Sequence, residues 1–121
     1  MQNRALRVGP VALTTTLTTN ILNPAAAGAG VGYVPTASYI ILRHIRISNK
    51  TTSAASFSLW IGATGGNTAG TEFMGTAKSV PANDYIDWYG QVRLDAADFL
   101  VGGAGTATAL TLVAEGEVGL S

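Results

Sequence analysis

The sequence contains no cysteine and a single histidine, His44. The first absence excludes a disulfide scaffold and any thiolate metal site. The second leaves one residue around which a Ser-His-Asp relay could be built. Charge is scarce too: charged residues make up 12% of the 121 positions, and seven Lys and Arg balance seven Asp and Glu. A basic nucleic-acid-binding surface is therefore not expected. No apolar run approaches the ~20 residues of a membrane helix, and the opening Met1-Gln2-Asn3-Arg4 lacks the apolar stretch of a signal peptide. The expectation is a soluble chain with neither nucleic acid nor membrane as partner. Helices should be minor, because apolar positions nowhere recur at i, i+3, i+4 and i+7 beyond a few residues.

What the chain does have is Ala, Thr and 15 Gly, with period-2 alternation between Gly, Pro and Asn punctuation. Its length suits one domain. Residues 1–12 (MQNRALRVGPVA) carry two Arg and a Gly-Pro break and read as an extended N-terminal arm; residues 13–121 read as a single domain. Within it, 13–22 fits a Thr-rich strand and 23–32 (NPAAAGAGVG) a loop. The strongest strand is 39–49, YIILRHIRISN. Ile40 and Leu42 share one parity and Ile45 and Ile47 the other, so the inward face must switch near Arg43 and His44, as at a β-bulge or where a strand passes between two sheets. Residues 50–56 read as a hairpin loop, after which Phe57, Leu59 and Ile61 alternate with Ser58 and Trp60 in a strand expected to pair with the preceding one.

Further on, 62–71 is a Gly-rich loop, 72–76 and 78–80 are short strands, and 81–84 is a turn. Residues 85–89 and 91–94 extend a strand, 95–100 could form one helical turn, 102–105 a last loop, 106–113 a strand, and 115–120 the close of the chain. About eight short strands at this spacing predict an all-β, antiparallel, jelly-roll-like β-sandwich. Bulky side chains such as Leu42, Phe57 and Leu112 each contribute about 1.5–3 kcal/mol on full burial. Ordering each residue's backbone costs about 1–2 kcal/mol. That balance argues for further burial against copies of the chain or a larger partner.

Few residues propose chemistry. The loop 62–70 lacks the Lys-Ser/Thr pair and following helix of a phosphate cradle. His44, between Arg43 and Arg46, would be kept neutral as a general base requires, yet no nucleophile elbow accompanies it. Carboxylates occur as Asp84 and Asp87, Asp95 and Asp98, and Glu115 and Glu117. The last two share a strand face and could meet a Ca²⁺ or two Arg of a neighbour, but no calcium loop is present. No catalytic residue, metal or cofactor is expected. Tyr85 and Tyr89, which alternate with Trp88, together with Trp60, form a candidate sugar-stacking surface, with Trp88 read as core. The Asn49-Lys50-Thr51 sequon carries no weight without a secretory signal.

The order of the charges is unusual. Residues 1–50 hold Arg4, Arg7, Arg43, Arg46 and Lys50 and no acid, whereas 51–121 hold all seven acids with only Lys78 and Arg93, so the halves carry +5 and −5. Either the fold neutralises this internally, or the basic arm reaches an acidic face on an adjacent subunit and fixes the register of an assembly. On the second reading Arg4 and Arg7 are the contact charges, with Leu6, Val8 and Val11 as apolar anchors.

The runs YIILRHIRISNKTTSAASFSLWIGATGG, DWYGQVRLDAADFLVGG and ALTLVAEGEVGL together resemble small structural proteins encoded among the virion genes of tailed bacteriophages, across residues 33–120. The resemblance implies a β-sandwich that acts as a capsid decoration (cement) protein, or as a neck, collar or tail accessory, with no catalytic residues. The implied partners are the major capsid protein or other virion proteins and further copies of the chain, a homo-trimer being favoured, in the virion. A carbohydrate-binding module for host attachment is the alternative of a different class.

Overall fold

The computed structural model describes residues 3–23, 39–63, 65–95 and 97–119, with only the backbone of Asn3, Arg4 and Leu6. These residues form eight strands and no helix: β1 (Asn3–Ala12), β2 (Asn20–Leu22), β3 (Tyr39–Asn49), β4 (Ala55–Gly62), β5 (Glu72–Val80), β6 (Tyr85–Asp95), β7 (Phe99–Ala104) and β8 (Leu110–Gly119). They make two four-stranded sheets in the orders β1-β8-β3-β6 and β2-β7-β4-β5. All neighbours are antiparallel. Only β4 and β5 are consecutive strands that pair; each other link joins one sheet to the other, which makes the sandwich a jelly roll.

The core lies between the sheets. Ile40, Leu42, Ile45 and Ile47 of β3 and Leu112, Ala114 and Val118 of β8 meet Phe57 and Leu59 of β4 and Leu100 of β7, all essentially inaccessible. The switch of inward parity in β3 is real. Its pairing with both β6 and β8 slips between Leu42 and His44, so one residue is spent as a bulge and the apolar side chains regain the core. Trp88 is half-buried at the margin of this core and meets Phe73 of the opposite sheet edge-on, with centroids 5.1 Å apart.

Several expectations are corrected. Residues 3–12 are not an arm but an edge strand paired along β8 from Asn3 to Ala12. Gly9-Pro10, read as a break, sits in a bulge between Val8 and Val11. There Gly9 adopts φ +88, and a Cβ would lie 2.5 Å from the Leu112 carbonyl oxygen, so only glycine fits. A proline is tolerated because the strand is an edge. β4 does not pair with β3; the link between them changes sheets, and β4 lies between β5 and β7.

Of 13–22, only Asn20–Leu22 is strand. The two short strands at 72–80 are one, β5, with Met74 and Ala77 at positive φ where its pairing with β4 breaks. In place of a helical turn at 95–100, the Asp98 amide donates to the Asp95 carbonyl at 2.9 Å in a tight turn, and β7 begins at Phe99. Gly102 and Gly103, expected in a loop, belong to β7. A Cβ on Gly102 would run into the Ser58 carbonyl oxygen and the Leu59 backbone, so glycine here permits close approach within the sheet. Residues 24–32, expected as a loop, lie outside the described residues.

Candidate functional site

The β1-β8-β3-β6 sheet turns its second face outward. On β6 the outward positions include Tyr85, Asp87, Tyr89 and Gln91; on β3 they include Arg43, His44 and Arg46. Antiparallel register sets Tyr85 beside Ser48, Asp87 beside Arg46 and Tyr89 beside His44. The register slip is what delivers this: continued unbroken from Leu42–Val92, the ladder would set Ile45, not His44, opposite Tyr89.

The cluster is tied together by charge-assisted bonds. Arg46 donates through Nε to Asp87 Oδ1 at 2.8 Å and through Nη2 to Oδ2 at 3.1 Å, and His44 Nε2 lies 2.8 Å from the same Oδ1. The Arg46 guanidinium, and then His44, hold the Asp87 carboxyl down at about 2, while the Asp87 carboxylate raises Arg46 above its ordinary value. Each tyrosine is held on one face of its ring. The Arg46 guanidinium lies 4.3 Å above the Tyr85 centroid, and the His44 ring stacks on Tyr89 at 4.6 Å with a 14° tilt. Tyr85 stays 50% exposed and Tyr89 70%.

Beside this cluster, Arg43 bonds Glu117 on β8 through Nε at 2.8 Å and also through Nη2, and reaches Gln91 on β6 at 3.3 Å. Arg93 bonds Asp95 at 2.7 Å and lies 4.4 Å above the Tyr39 ring. Arg43 and Arg46, from the basic half, thus find their acids within the chain. The i, i+2 carboxylates Glu115 and Glu117 do share a face, but Glu117 is occupied by Arg43, and Glu115 lies in register between Arg7 and His44. Among the described residues no group of three or more His, Asp or Glu side chains converges as a metal would need.

The expected contact residues fare unequally. Val8 and Val11 are buried in the chain's own core and cannot anchor it to a partner. Arg7 is exposed on β1, while the side chains of Arg4 and Leu6 lie outside the described residues. Trp60 leaves the sugar-stacking surface: it is 6% exposed and sits on the other sheet, opposite Val101. Tyr85 and Tyr89 remain. Asn49 is buried, its amide donating to the Ser53 and Val80 carbonyls, so it holds a turn and is no glycan acceptor. The partnership of His44, Arg46 and Asp87 went unseen in the sequence. Alternation puts Arg46 and Asp87 on the same face once 39–49 is paired with 85–95, but the register that sets them opposite each other follows from the fold.

No family model matches the chain, and no curated protein matches it significantly.

Proposed function

We propose that the chain is a structural subunit of a tailed-bacteriophage particle, of the capsid decoration (cement) kind. The observation that carries this reading is where the resembling segments fall. YIILRHIRISN is the whole of β3 and ASFSLWIG the whole of β4, one inner strand of each sheet, so the resembling segments coincide with framework strands and not with a loop. Jelly rolls serve as viral capsid domains and as lectins, so the architecture narrows the role without naming it. Decoration acts mechanically: a subunit that bridges capsid neighbours adds contacts that must be lost before the shell ruptures. With β1 bound into the sheet, attachment runs through an exposed surface of the sandwich, and Arg7 on the edge strand β1 is the first contact residue we assign. Self-association as a trimer at a symmetry axis fits this role.

Quantitative mass spectrometry of purified virions tests the reading. A copy number comparable with that of the major capsid subunit supports decoration. A count fitting a single ring moves the chain to the neck, collar or tail, and absence from the particle refutes a virion role. Arg7→Glu should lower binding to undecorated shells without altering the fold.

A further inference from the structure

The β3–β6 half of the outward face combines two exposed aromatic rings with a polar cluster. Tyr85 and Tyr89 stand four residues apart on one strand, hence on the same face and about 13 Å apart at roughly 3.3 Å per residue. Each ring is braced from one side by a cationic or imidazole partner, which fixes its plane while leaving it half or more exposed. Fixing an exposed ring in advance removes ordering cost from any ligand that stacks on it. Between the rings lies a polar cluster, Arg46, Asp87 and His44, not an apolar surface. Arg46 and His44 are both committed to Asp87, Arg43 to Glu117 and Arg93 to Asp95, so among the described residues the cations of β3 and β6 each have an acid beside them, which disfavours a phosphate or polyanion here.

From this arrangement we propose that the Tyr85–Tyr89 face binds a neutral oligosaccharide, with sugar rings stacked on the two tyrosines and hydroxyls bonded to the Asp87–Arg46–His44 cluster between them. Sugar rings supply what the site asks for: flat C–H faces for the aromatic rings and uncharged hydroxyls that both donate and accept. Asp87 has lone pairs left to accept, and the Arg46 guanidinium retains donors beyond the two it gives Asp87. This inference does not rest on the virion reading, since Arg7 lies at the opposite edge of the sheet from β6.

Affinity electrophoresis of the full chain through gels cast with dextran, mannan or starch, backed by an array of neutral oligosaccharides, tests it. Retardation by at least one neutral glycan is expected. Tyr85→Ala and Tyr89→Ala should each weaken it about tenfold, the equivalent of one aromatic stacking contact. Tyr89→Phe should retain most of it, because the ring and not the hydroxyl does the stacking. Unchanged far-UV circular dichroism and melting of the Ala variants will separate lost binding from lost fold. No retardation by any neutral glycan overturns the proposal, as does binding that survives both Ala variants. Binding confined to heparin and abolished by salt also overturns it, and so does a change of sedimentation in the Ala variants with no glycan effect, which would make the face a self-interface.

Discussion

Two aromatic residues, Trp60 and Tyr89, both point away from the central core, each from its own sheet, and their fates differ. Trp60 on β4 alternates with Phe57 and Leu59, which face the core; it is nonetheless only 6% exposed, next to a fully buried Val101. Tyr89 on β6 is 70% exposed. The difference extends to the sheets. β4 and β7 are buried along nearly their whole length, whereas β3 alternates and β6 is largely open. The inner strands β4 and β7 of one sheet are therefore covered on two faces, although its edge strand β5 stays largely exposed, whereas β3 and β6 of the other sheet are covered on one.

The hardest test of that contrast removes part of the open sheet. If its inner face matters as much as the covered sheet, a chain lacking residues 1–12 will not fold, since it loses Val8 and Val11, worth about 1.5–3 kcal/mol each, together with the β1–β8 ladder. Loss of the cooperative thermal transition by circular dichroism is the expected outcome. A folded truncated chain would restore the picture of a detachable arm. Next in size is Trp60→Ala, which should cost about 3–5 kcal/mol in urea unfolding because it empties a buried aromatic site. A cost below about 1 kcal/mol, the range of ordinary surface substitutions, would mean that the two sheets do not differ as described.

The contrast also explains what the sequence could convey. In β3 both the limits and the bulge were legible, because a buried face on one side only forces strict alternation, and the shift from Ile40 and Leu42 to Ile45 and Ile47 records the inserted residue. The outward set Tyr85, Asp87 and Tyr89 was legible for the same reason. In β4 and β7, burial on two faces erases that signal: Trp60 read as exposed, and the Gly102-Gly103 stretch read as a loop although close approach to the Ser58 carbonyl requires glycine there. Local pattern was equally silent on whether the link after β3 returns within its sheet or crosses to the other. A Gly-Pro pair that ends a central strand is admitted at an edge, which is why β1 resembled an arm.

A smaller effect should appear on the open face with pH. Asp87 titrates at about 2 in the folded chain against 3.8 ordinarily, because Arg46 and His44 bond its ionised form. A carboxyl depressed in this way adds stability that is complete above pH 3.8 and is lost as pH falls through about 2. The stability difference between the wild type and Asp87→Asn should therefore be constant from neutral pH down to about 4 and shrink below it. Urea unfolding at a series of pH values reads this directly. A difference that stays level down to pH 2 would show that the ion pairs on this face do not restrain Asp87.

Smallest of all should be the effect of Tyr89→Ala on stability, within about 0.5 kcal/mol, since an exposed ring braced only by His44 buries little area. This near-silence gives the substitution its value beside Trp60→Ala. Both remove an outward aromatic ring, so a large cost at Trp60 with almost none at Tyr89 isolates the covering of one sheet from the size of the side chain. A cost above about 1.5 kcal/mol at Tyr89 in urea unfolding would mean that the His44–Tyr89 stack supports the fold. Stability unchanged while glycan retardation falls would instead leave Tyr89 as a ring whose remaining contribution is to binding.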